Sequence, residues 1–71
     1  MGLSLKHKFG RRVKLLREAE KLTQEDLGGL CNRSTETISN IERGVNGPRF
    51  DLLEKLAKHL HCQVKELFIF E

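Results

Sequence analysis

Apolar residues recur along this chain at spacings of three and four in separate stretches, and the breaks between them carry residues that start and stop helices. From about Leu5 to Glu20, Phe9, Val13, Leu16 and Ala19 draw one stripe down a helix. Thr23 then precedes "QEDL", and Thr three places ahead of Asp26 is a capping box, so a second helix is expected from about Gln24 to Leu30. It should end before Asn32, which tolerates the left-handed backbone that follows a helix. Ser34 is the next natural N-cap, and Ile38 with Ile41 supplies the inward side of a third helix that closes at Gly44. After the break "RGVNGP", Phe50, Leu53, Leu56, Ala57 and Leu60 form the stripe of a fourth helix, and Val64, Leu67 and Phe68 mark a short fifth. No period-two alternation occurs before the closing "LFIFE", so the expected class is all-α with five helices.

The second and third of these helices are joined by too few residues to lie antiparallel, so they should cross steeply. That is the helix-turn-helix geometry, in which the second helix enters the major groove of DNA. The third helix fits the role. Ile38 and Ile41 face inward, while Thr35, Glu36, Thr37, Ser39 and Asn40 leave a polar surface able to meet base edges.

Composition narrows the alternatives. With 71 residues the chain is expected to be a single domain, 1–71, and a chain this small hides only about 60% of the surface it exposes when unfolded. No apolar run approaches a membrane span or a secretion signal, so a cytoplasmic location is expected. Cys31 and Cys62 then read as reduced thiols. The run "HLHC" lacks a second ligand cluster, so no metal is expected. No nucleophile and base are spaced as a unit and no glycine loop could cradle phosphate, so neither an enzyme nor a cofactor is expected. The net charge of +3 is unevenly distributed. Through Lys21 there are seven basic residues against Glu18 and Glu20, a block suited to a polyphosphate partner.

The segments "LLRE", "LTQEDL", "STETISNIERG", "GPRF" and "LLEKLAKHLHCQVKELF" occur in the order and spacing of the phage repressor and Cro (Xre-like) DNA-binding family, which this chain resembles from Phe9 to Phe68, a core of residues 9–68. The resemblance implies a lambda-repressor-like five-helix bundle with its helix-turn-helix over 23–43. It implies a transcription regulator, repressor or controller, usually a homodimer on a palindromic operator in double-stranded DNA. By position, Thr35, Glu36 and Asn40 are implied base contacts. Gln24, Arg33, Ser34, Arg43, Asn46 and Arg49 are implied contacts to the DNA backbone. Arg17 and Glu42 match a pair that forms an internal salt bridge in relatives. A prophage, restriction-modification or antitoxin setting stays open, and the alternative of another class is a protein-interaction module of the same fold, such as an antitoxin-type partner-binding protein.

The chain departs from the family pattern at several points. Asn32 and His61 replace customary glycines, Gly28 replaces a small Ala and should weaken the second helix, and Arg33 stands where an apolar residue is common. Glu36 would meet phosphate repulsion unless it accepts from a cytosine amino group. Phe68 is assigned to the bundle. Ile69 and Phe70 have no such claim and are expected to form the dimer interface, either packed on the partner with Leu52 and His59 or paired as a short strand across the two-fold axis.

Overall fold

The computed structural model describes residues 2–70, and these are helical throughout their ordered elements, with no strand among them. Four α-helices follow one another: α1 (Leu5–Ala19), α2 (Gln24–Leu30), α3 (Thr35–Glu42) and α4 (Phe50–His59). The fifth element differs from the α-helix expected. Val64–Phe68 is a 3₁₀ segment, five residues long, capped by reciprocal bonds between Gln63 and Glu66 and followed by extended backbone at Ile69. A piece that short cannot establish an α-helical ladder, and the tighter 3₁₀ turn is enough to place one side chain.

That side chain is Leu67. With Phe9, Val13, Leu27, Cys31, Ile38, Ile41, Leu52, Leu56, Ala57 and Leu60 it makes the buried core. Each Val, Leu, Ile or Phe side chain among them contributes about 1.5–3 kcal/mol by leaving water. Three expectations about this core are corrected. Ala19 is exposed at the last turn of α1. Phe50, expected in the inward stripe of α4, is 85% exposed, and Leu52 is buried in its place. Phe68 stays 40% exposed at the rim, its ring 5.1 Å from that of Phe9.

All four α-helices end in the same way. The amide two residues past each C-cap donates five residues back, Leu22 to Arg17, Arg33 to Gly28, Val45 to Asn40 and Cys62 to Ala57, at 2.7–3.1 Å. This six-to-one bond requires a left-handed residue just before it. Glycine fills that place only at Gly44 (φ 77), and Lys21, Asn32 and His61 adopt φ of 59, 57 and 58.

Two close approaches set the helix packing. A Cβ on Gly10 would lie 2.7 Å from the carbonyl oxygen of Glu42 and closer still to that of Ile41, so α1 rests on the backbone at the end of α3. A Cβ on Gly28 would stand 2.9 Å from the carbonyl oxygen of Arg33. Gly28 therefore admits the tight turn between α2 and α3, which offsets the helix weakening expected of it.

Candidate nucleic-acid interface

Each helix of the α2–α3 pair begins at a side-chain cap. Thr23 Oγ1 accepts from the Asp26 amide and Asp26 Oδ2 accepts from the Thr23 amide, both at 2.9 Å. Those bonds, that from the Thr23 backbone first, hold the Asp26 carboxyl below the usual carboxylate range. Ser34 Oγ accepts from the Thr37 amide at 3.1 Å and lies 2.9 Å from the Thr37 hydroxyl. Ser34 is thus the N-cap of α3 and remains exposed.

Behind this pair, one carboxylate ties three helices together. Glu42 at the end of α3 accepts from Arg17 Nε at 2.6 Å and Arg17 Nη2 at 3.1 Å, and from Gln24 Nε2 at 3.0 Å. Arg17 Nη1 donates to the carbonyl of Leu22 at 2.7 Å. Arg17 and Glu42 are 8% and 7% exposed, and the hydrogen bond to Glu42 raises the Arg17 pKa above its ordinary value. Gln24 has a second amide hydrogen free of this network, so it can brace α3 and still donate outward.

Ile38 and Ile41 anchor α3 in the core, and Thr35 and Glu36 are exposed on its first turn, with Asn40 half-buried one turn later. Arg43, Asn46 and Arg49 are exposed around the turn into α4. Among the described residues, neither Arg43 nor Arg49 pairs with a carboxylate. Thr37, Asn40, Asn46, Arg49 and Arg33 line a shallow hollow of about 200 Å³ on this side. Arg33 is differently placed from the outward reach expected of it. Its Nη2 donates to Asp51 Oδ2 at 2.8 Å and its Nη1 to the carbonyls of Cys31 and Asn32. The Asp51 carboxyl is held low, first by the Leu52 amide and then by Arg33.

No local pattern pointed to Asp51, which lies 18 residues from Arg33 and meets it only because α4 starts beside the α2–α3 turn. Gly10 did leave a signal. It lies seven residues before Arg17, two turns along the same side of α1, where both must face α3. Elsewhere, Phe70 stacks edge-on against Phe68 with centroids 6.3 Å apart, and with Leu3, Lys8, Arg11, Arg12, Leu15 and Ile69 it lines a hollow of about 450 Å³. Leu52 is buried at 4% exposure and cannot join such a surface, contrary to the role considered for it. Both cysteines are free, with burial raising each thiol, and no group of metal-ligating side chains occurs among the described residues. Among the described residues, no helix is long and apolar enough to cross a membrane.

Residues 8–67 match the family described as the helix-turn-helix domain. The chain belongs to that family. It is a family of DNA-binding transcription regulators and not of enzymes. Among relatives, the competence pilus inhibition repressor of Acinetobacter baylyi is 38% identical over 61 residues, 86% of this chain. The match spans 56% of that relative's length. The restriction-modification controller protein C.AhdI of Aeromonas hydrophila superposes with a TM-score of 0.85 at 35% identity, covering 89% of this chain and 96% of the controller. The P22 c2 repressor protein, in complex with a synthetic operator, superposes with a TM-score of 0.81 at 32% identity, covering 84% of this chain and 91% of the repressor.

Proposed function

We propose that this helix-turn-helix domain reads a palindromic operator as a homodimer, with α3 of each copy in the major groove. The observation that carries the reading is the division of α3 itself: Ile38 and Ile41 are committed to the core, and Thr35, Glu36 and Asn40 face away from it beside exposed Arg43, Asn46 and Arg49. A helix with one anchored side and one short polar side, bordered by cations, suits base edges flanked by phosphates. The solved operator complex of the similar c2 repressor supports the same partner. Thr35, Glu36 and Asn40 then carry specificity. Gln24, Ser34, Arg43, Asn46 and Arg49 hold the backbone, and Arg33 joins them only by giving up Asp51. Ile69 and Phe70 meet the second copy.

The test is a selection from randomised duplex DNA. The parent chain should enrich a two-fold symmetric motif with half-sites about one helical turn apart. Arg49→Ala should weaken binding to selected and random duplexes alike, and Thr35→Ala should relax one base pair by about 1–3 kcal/mol. Absence of any enriched motif would refute the reading.

A further inference from the structure

Arg43 closes α3 three residues after Asn40, and its Nη2 donates to Asn40 Oδ1. An arginine has donors only, so the amide atom facing it must be the oxygen, and this fixes which way the Asn40 amide points. The main-chain oxygen of Asn40 is also taken, by the amides of Val45 at 2.9 Å and Asn46 at 3.4 Å. Oδ1 keeps a second lone pair, but that pair lies beside the Arg43 guanidinium, so what Asn40 offers away from the cation is its Nδ2 group, with two donors. Arg43 adds further N–H groups next to it, and no carboxylate among the described residues draws that guanidinium away.

We propose that Asn40 and Arg43 act as a single donor-rich reading unit that selects guanine over adenine. The inference rests on the placement of α3 proposed above. An asparagine with both amide ends free reads adenine, accepting from N6 and donating to N7. With one lone pair of its carbonyl taken by Arg43 it can still donate to N7, but an adenine N6 amino group reaching for the other lone pair meets the neighbouring Arg43 N–H groups, donor against donor. Guanine presents two acceptors, N7 and O6, and satisfies both members of the unit. Arg43 is on this account a positioning residue for Asn40 and supplies the second donor, whereas its position after α3 alone would make it a phosphate contact.

The experiment repeats the duplex selection with the full chain, Asn40→Ala and Arg43→Ala. The base pair read by Asn40 is the one whose preference Asn40→Ala abolishes. The parent should select guanine there. Arg43→Ala frees the Asn40 carbonyl, so the ratio of guanine to adenine at that position should fall about tenfold or more, with preferences elsewhere kept. Adenine at that position in the parent would overturn the proposal. So would an unchanged ratio in Arg43→Ala with binding weakened on every duplex, which would return Arg43 to the phosphate contacts and leave the role of α3 intact. A parent that enriches no motif would overturn both.

Discussion

At the scale of single residues, the Arg17–Glu42 pair decides whether α3 has a fixed place. The pair is buried and bidentate, and Gln24 uses the same carboxylate, so α1, α2 and α3 meet at one side chain. Removing the carboxylate would leave the Arg17 guanidinium buried with only the Leu22 carbonyl as partner. Breaking one side of such a pair costs about 3–5 kcal/mol, a large part of what holds a domain this small together. Glu42→Ala is therefore expected to be unfolded or nearly so in a thermal melt followed by circular dichroism, and a midpoint equal to that of the parent would refute this. The two partners were legible in the sequence because family positions mark them. Phe50 was misread. The stripe rule counts it with Leu53 and Ala57, but at the first position of α4 no preceding turn can cover its ring, and Leu52 takes the inward direction. The link between Asn40 and Arg43 was equally hidden, since a three-residue spacing permits a contact without requiring it.

At the scale of elements, caps were read more easily than helix type. Thr23 and Asp26 announce α2 because their bonds are local, and local chemistry is what a sequence displays. The last element was expected to be α-helical because its apolar spacing fits, but spacing cannot separate five residues of 3₁₀ from one and a half turns of α-helix. The α2 cap also has a pH signature. The Asp26 carboxyl has a lower pKa folded than unfolded, so its contribution is complete above the ordinary carboxylate value and is lost as pH falls through the folded value. Asp26→Asn should accordingly melt below the parent at neutral pH, and the gap should close in acid. A gap that persisted unchanged at low pH would show that the charged form of Asp26 is not what stabilises the cap.

At the scale of the whole molecule, the aromatic tail and the corners between helices govern different properties. Ile69 is 54% exposed, Phe70 leans on Phe68, and both border a hollow with Leu3 and Leu15, more apolar surface than one copy covers. If this tail sets the dimer, a chain ending at Phe68 should sediment towards the monomer and lose affinity for a symmetric site far more than for a half-site. Unchanged sedimentation would refute that role. The bundle itself was legible, because helix order and most core positions follow from periodicity and the N-caps of α2 and α3 from Thr23 and Ser34. Contacts between distant segments, such as Arg33 on Asp51, were not, because no local pattern encodes them. The left-handed corners at Lys21 and His61 have a further consequence in the life of the protein. Each costs about 1–2 kcal/mol relative to glycine, and neither lies on the polar side of α3. In a cell, differences of that size change how often a small domain opens to proteases and hence how much of it accumulates, several-fold in either direction. These two positions can therefore adjust the amount of regulator present while the DNA sequence it prefers stays the same.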